Sequence, residues 1–330
     1  MESPRRKEAL EEARRFMSRR PVVLPCADRR GWDRFALASR AHSGLGFPGR
    51  LRMKLDSHQH FWRYDAVQYP WIPAGSPLQR DWLPPDLSSL QQPLDFEGSI
   101  AVQARQSLAE SHWLLSLADA DPRILGVVGW VDLQSDSLEG QLSSLAGHPK
   151  WVGVRHVVQD EPDDAFMLRP AFLRGLGRLR EFGLTYDLLV FPRQLPAAIE
   201  VVRRFPNQSF VLDHVAKPLI REGVLEPWNR QIRELAKFPN VCCKVSGMVT
   251  EARHRGWQKA DFRPYLDVVA EAFGPGRLMY GSDWPVCLLA ASYADVLELA
   301  SDYVVQQAGW DGAQQEAFFR GNARRIYLGS

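Results

Sequence analysis

Eight short runs of apolar and β-branched residues recur between positions 53 and 280, and no other feature of this 330-residue chain constrains its fold as tightly. They are Met53 to Ser57, Ser99 to Gln103, Leu125 to Val131, Val152 to Val158, Thr185 to Val190, Phe210 to Asp213, Val241 to Val245, and Leu278 to Tyr280. The segments between them read as amphipathic helices. Leu266, Val269, Ala270 and Phe273 fall at i, i+3, i+4 and i+7, one apolar stripe, and Gly274 stands where a C-cap belongs. Gly183 closes the helix that starts near Pro170 in the same way. Strand followed by helix, repeated throughout, is the habit of a parallel α/β fold. An open doubly wound sheet would carry a Gly-rich phosphate loop after its first strand, whereas here the first run leads into Asp56-Ser57-His58-Gln59-His60. The chain is therefore predicted to be an α/β protein, a (β/α)8 TIM barrel of about 250 residues.

The barrel is assigned to residues 53–330, with Met53 as its start, and residues 1–52 to a disordered basic extension that the fold does not need. That extension holds 13 Lys/Arg against 6 Asp/Glu, which leaves the remainder acidic although the whole chain is +2. An acidic body presents no basic surface, so nucleic acid is excluded as a partner. No apolar run approaches the roughly 18 residues of a membrane span. The stretch Pro21 to Cys26 is too short for the core of a secretory signal, and the acidic residues among the arginines argue against, without excluding, a mitochondrial transit peptide. Cys26, Cys242, Cys243 and Cys287 show no CxxC spacing and read as reduced thiols of a cytoplasmic protein.

In a barrel of this kind the chemistry lies at the C-terminal ends of the strands, and the polar residues of this sequence fall there. Asp56, His58 and His60 close the first run, Gln103 the second, and Arg155 and His156 lie in the fourth. Asp187 lies in the fifth, Asp213 and His214 close the sixth, Lys244 and Ser246 stand at the seventh, and Asp283 follows the eighth. Residues i and i+2 of a strand share a face, so His58 and His60 converge in the mouth, where Asp283 completes a set able to chelate one cation. The bland alternative is a buried, hydrogen-bonded trio. Adjacent strand residues face oppositely, so only one of Arg155 and His156 is expected to enter the site. Asp187 and Lys244 either pair with each other or contact substrate, because a buried lysine needs a partner. Trp62, Trp71, Trp82 and Trp284 could line a sugar pocket or simply fill the core, with Trp284 the best placed.

The run Leu55-Asp56-Ser57-His58-Gln59-His60-Phe61-Trp62 resembles the amidohydrolase superfamily, together with Tyr69-Pro70-Trp71, Arg80-Asp81-Trp82, Gly153-Val154-Arg155-His156, Leu212-Asp213-His214 and Tyr280-Gly281-Ser282-Asp283-Trp284-Pro285. More narrowly it resembles the amidohydrolase-related branch that contains L-fuconolactone and L-rhamnonolactone hydrolases and a pyrone dicarboxylate lactonase. The resemblance covers residues 53–330, including Phe319-Arg320-Gly321-Asn322-Ala323. It implies that His58 and His60 are the first strand's metal pair, His214 the sixth strand's histidine and Asp283 the eighth strand's acid. Binuclear members bridge two metals with a carboxylated lysine or glutamate from strand 4. Arg155 and His156 stand there instead, so the resemblance implies one divalent ion, zinc, or metal-free chemistry. Strand 5 usually adds a histidine, and here it offers Tyr186-Asp187.

The implied activity is hydrolysis of a sugar-acid lactone, a carboxylic ester, with L-fuconolactone the leading substrate. Asp283 is expected to activate the water and His214 to assist, while Gln103, Arg155, His156, Asp187, Lys244 and Trp284 hold the sugar. The rival readings are a carbon–carbon lyase such as a decarboxylase, another metal-dependent hydrolase, and a ligand-binding barrel without catalysis. The implied partner is a small molecule, and no repeat or motif sets an oligomeric state.

Overall fold

The structure is a computed structural model that describes residues 53–330; the basic extension, and Cys26 within it, lie outside the described residues. Eight parallel strands follow one another around a nearly closed TIM barrel in the order β1 to β8. They are β1 (Lys54–Gln59), β2 (Phe96–Val102), β3 (Ile124–Gly129), β4 (Trp151–His156), β5 (Thr185–Leu188), β6 (Phe210–Leu212), β7 (Val241–Val245) and β8 (Leu278–Tyr280). All eight predicted runs are strands, with ends displaced by one to three residues or not at all. Closure comes at the mouth, where Gln59 and Trp284 form a parallel bridge. The His60 amide donates to the Trp284 carbonyl (2.7 Å) and the Asp283 amide to the His58 carbonyl (2.8 Å).

The helices lie outside: α1 (Pro84–Gln91), α2 (Leu108–Ala120), α3 (Leu138–Ala146), α4 (Pro170–Leu176), α5 (Leu195–Arg204), α6 (Trp228–Leu235), α7 (Met248–Glu251), α8 (Lys259–Phe273), α9 (Tyr293–Asp302) and α10 (Gly312–Glu316). In α8 the stripe predicted from the sequence is buried at Leu266, Val269 and Phe273, and Gly274 ends the helix at φ 68°. The helix predicted from Pro170 to Gly183 is two pieces, α4 and a 3-10 turn at Leu179–Phe182, before Gly183 turns left-handed into β5. No helix among the described residues is long and apolar enough to cross a membrane.

Two layers of apolar side chains follow from this arrangement. The larger lies between sheet and helices, and a smaller one inside the barrel joins Leu55, Ile100, Val128, Val211, Cys242 and Met279. The C-terminal segment closes the N-terminal end of the barrel. Asn322 donates to the Pro275 and Leu278 carbonyls at 2.7 Å each, Arg320 and Arg324 both pair with Glu97 at 3.1 Å, and Tyr327 reaches inward. With one end sealed and strand carbonyls and loops exposed at the other, the fold leaves the C-terminal mouth as the place for chemistry.

Candidate active site

Asp283, His58, His60 and His214 meet at the mouth. Asp283 Oδ1 lies 3.3 Å from His60 Nε2, 3.8 Å from His58 Nε2 and 3.9 Å from His214 Nε2. His58 Nε2 and His60 Nε2 are 3.2 Å apart. A tetrahedral zinc site with bonds of about 2.0–2.1 Å has ligand atoms about 3.4 Å apart. The His58, His60 and Asp283 set therefore has the donors and the spacing to hold one cation.

The backbone that delivers these groups is unusual. Asp283 takes φ 56° and is anchored through its neighbour: Ser282 donates from its amide (2.8 Å) and hydroxyl (2.6 Å) to Asp56, which also accepts from Tyr293 (3.1 Å). Burial raises Asp56 to about 6, and these donors oppose the rise. After β6 the chain winds left-handed through His214, Val215, Ala216 and Lys217, at φ between 47° and 60°. Left-handed backbone costs an L-residue roughly 1–2 kcal/mol, so four in a row mark a segment held by its surroundings. Trp228 contributes by donating to the Val215 carbonyl at 2.8 Å. Gly247, at φ 61°, lies so close that a Cβ there would stand 2.5 Å from His214 Nδ1 and 3.1 Å from Asp283 Oδ2.

Each histidine is oriented from behind. His60 Nδ1 meets the Val102 carbonyl at 2.8 Å, and His214 Nδ1 meets Ser246 Oγ at 2.9 Å. His58 Nδ1 lies between Asp213 Oδ1 (3.3 Å) and Lys244 Nζ (3.2 Å). Burial keeps His58 neutral to well below its usual range and takes His214 down to about 4. Burial works against the Asp283 carboxylate too, but His214, His60 and His58 around it outweigh burial and hold it well below the usual carboxylate range.

Beneath the histidines runs a buried charge network. Lys244 Nζ bonds Asp187 Oδ2 (2.6 Å) and forms an ion pair with Asp213 Oδ1 (3.0 Å); Arg155 Nη1 bonds Asp213 Oδ2 (3.0 Å) and approaches His58 Nε2 (3.3 Å); Tyr327 donates to Asp187 (2.7 Å). Asp213 stays ionised against the cost of burial because Lys244, His58 and Arg155 surround it. Lys244 thus stands within 3.2 Å of both Asp213 and His58, two members of the second candidate cation group, His58, Asp213 and His214.

Of the residues expected at the site, the structure brings together His58, His60, His214, Asp283 and Arg155, with Gln103 bonded to Arg155 in both directions through main-chain carbonyls. Asp187 and Lys244 pair with each other, one of the two alternatives open in the sequence. His156 lies apart, stacked 4.9 Å from Phe166, 2.8 Å from Glu161 and 3.4 Å from the Trp130 indole. Trp284 is fully buried against Phe61 and Trp82. Sequence reasoning placed Asp213 and Ser246 at the strand ends without a role of their own and did not single out Gly247. Asp213 had a signal, its place beside His214, but strand alternation would turn it away, and the left-handed turn makes that rule inapplicable here.

The amidohydrolase family profile matches residues 55–328. L-fucono-1,5-lactonase of Burkholderia multivorans is 44% identical over 286 residues, which is 83% of this chain and 96% of that protein. L-fucono-1,5-lactonase of Burkholderia ambifaria is 37% identical over 247 residues, 74% of this chain and 84% of that one. The crystal structure of a Burkholderia multivorans amidohydrolase with bound zinc superposes with a TM-score of 0.80 at 44% identity, covering 84% of this chain and 99% of the other. The barrel, its histidine-lined mouth and a match across nearly all the described residues agree, and the chain belongs to the amidohydrolase family.

Proposed function

We propose that Asp283 activates the water that opens a sugar-acid lactone at this mouth, with L-fucono-1,5-lactone the substrate to test first. The chain is a lactone hydrolase, a carboxylic ester hydrolase, by its likeness to two L-fucono-1,5-lactonases over most of its length. The observation that carries the mechanism is the Asp283 carboxylate, buried, ionised and ringed by three imidazoles.

Asp283 takes a proton from water as the hydroxide adds to the lactone carbonyl carbon. The oxyanion is met by His214, whose Nε2 lies on the Asp283 side; the tautomer in which Ser246 donates to Nδ1 puts the hydrogen on Nε2. The ring C–O bond then breaks, and the departing alkoxide takes its proton from the Asp283 acid just formed. His58, His60 and Asp283 Oδ1 fit one divalent ion, which would supply Lewis-acid polarisation of the carbonyl. Zinc in the Burkholderia multivorans relative supports that choice of ion. The Lys244 ammonium at the second candidate group supports one ion rather than two. Without a metal, the oxyanion would rest on the imidazoles of the mouth, His214 among them.

We assign Gln103, whose Oε1 is buried with no partner, to the sugar, and Arg155, bonded to Asp213 beneath the histidines, to their support. Lys244 and Asp187 we assign to the support of His58, with Trp284 backing Asp283. His156 we place outside the set. Three buried free thiols, Cys242, Cys243 and Cys287, accord with a cytoplasmic enzyme.

The test is acid release from a panel of 1,4- and 1,5-aldonolactones, followed with a pH indicator, with and without a chelator. Rapid turnover of a 6-deoxy sugar lactone supports the assignment, and chelator sensitivity identifies the metal version. Silence across the panel with carbon dioxide release from a carboxylic acid would establish the lyase alternative.

A further inference from the structure

The left-handed turn after β6 does more than place His214. Such a turn has about three residues per revolution, so it brings residues i and i+3 to one side, and the Lys217 amide closes it by donating to the His214 carbonyl at 2.8 Å. Lys217 therefore emerges beside His214. Its Nζ stands 3.7 Å from Glu251 Oε1, at the end of α7, and 5.6 Å above the ring of Phe191, beyond β5. Loops from three successive strands thus meet at one cation.

This pair is neither a surface ion pair nor a core one. The side chains of Lys217 and Glu251 are 18% and 21% exposed, against 0% for Lys244 and Asp187 below. Lys217 acts on the charge state of His214, and Asp283 acts on that of Glu251, so both stand within electrostatic reach of the reacting groups. A half-buried ammonium has three hydrogens to donate, and here one loose contact and one ring face receive them. The fold holds four strained residues in a row to present that ammonium, and no hydrogen bond of normal length among the described residues uses it.

We propose that Lys217 and Glu251 are the sugar-recognition pair of the mouth, Nζ donating to one ring hydroxyl of the lactone and the carboxylate accepting from its neighbour. A cation beside a carboxylate offers a donor and an acceptor to a vicinal diol, which an unsubstituted lactone lacks. The assignment rests on the lactonase reading above and makes these two residues determinants of specificity.

The experiment measures kcat and KM for L-fucono-1,5-lactone with the full chain and with Lys217→Met, Lys217→Gly and Glu251→Gln, alongside thermal melting. One lost charged hydrogen bond predicts a KM about tenfold to a hundredfold higher in Lys217→Met, with kcat much less changed. Lys217→Gly is the control for folding: glycine adopts φ 49° without strain, so this variant melts no lower than the wild type yet shows the same rise in KM. Wild-type KM in Lys217→Gly overturns the proposal, as does a loss confined to kcat. A wild type that opens no sugar lactone overturns the lactonase reading and this pairing with it, whereas an active wild type with unaffected variants overturns the pairing alone.

Discussion

His60 Nε2 faces His58 Nε2 across 3.2 Å. The Val102 carbonyl, 2.8 Å from His60 Nδ1, can only accept, so Nδ1 donates to it and the ring is fixed with Nε2 toward His58 and Asp283. Two ring nitrogens so placed, with Asp283 Oδ1 3.3 Å from one of them, are satisfied by a cation between them. The full chain is expected to bind one zinc ion, and His60→Asn to weaken that binding by at least about a hundredfold, more than the loss of an outer support costs. Competition with a chromophoric chelator measures it. Equal affinity in wild type and variant would remove His60 from the metal set.

Asp283→Asn keeps the shape of the side chain and removes its basicity. A kcat about 10²- to 10⁴-fold lower is expected, with an unchanged near-ultraviolet circular dichroism spectrum. Retention of more than about a tenth of the activity would assign the base elsewhere.

Gly247→Ala places a methyl group 2.5 Å from His214 Nδ1 on a backbone at φ 61°. Something must move, and the nearest thing is the imidazole. The variant is expected to lose about 1–2 kcal/mol of stability from the left-handed backbone and a larger share of its turnover. Urea denaturation and initial rates on the same preparation separate the two, and full activity in a destabilised protein would contradict the steric argument.

Lys244 is enclosed and ion-paired with two carboxylates. Lys244→Met leaves Asp187 and Asp213 facing each other with one cation fewer, a loss of about 3–5 kcal/mol for a broken buried pair. Adding Asp187→Leu to Lys244→Met removes the uncompensated anion and is expected to recover part of that loss. Chemical denaturation of both variants gives the comparison; a double variant less stable than the single would show that packing, not charge, dominates.

Glu110 gives a pH test away from the mouth. Burial raises its carboxyl to about 7, against the bonds it accepts from the Arg105 and Ala104 amides and from Tyr69. The folded state therefore keeps a proton that the unfolded state has released above its ordinary value near 4.5. Stability from this group is full below about pH 4.5 and falls as pH rises toward 7, a change on the order of 3 kcal/mol at about 1.4 kcal/mol per unit. Glu110→Gln is expected to flatten the melting temperature over that window relative to wild type. Parallel pH curves for the two would locate the effect in other groups.

The barrel was legible because its strands are apolar and short, and its helices show their stripes. Leu266, Val269 and Phe273 behave as their spacing requires. The histidine pair and Asp283 were legible for the same reason, since period two decides which side chains converge at a strand end. Alternation also says that one of Arg155 and His156 turns away, but not which; the aromatic pocket of Phe166 and Phe172 that receives His156 is built from residues remote in sequence. Lys217 was invisible on the same grounds. Five residues beyond the end of β6, only the left-handed turn brings it back to the mouth, and no local propensity favours four such residues in succession.

The floor of the mouth holds Arg155 and Lys244 against Asp187 and Asp213, two cations and two anions sealed from water. Inheritance is constrained accordingly. A lineage that loses one of the four carries a stranded charge until a second change cancels it, so these positions are expected to drift in pairs. Lys217 and Glu251, wetted at the rim, bear no such debt. Descendants of this barrel are freer to change the sugar they accept than the support on which the histidines stand.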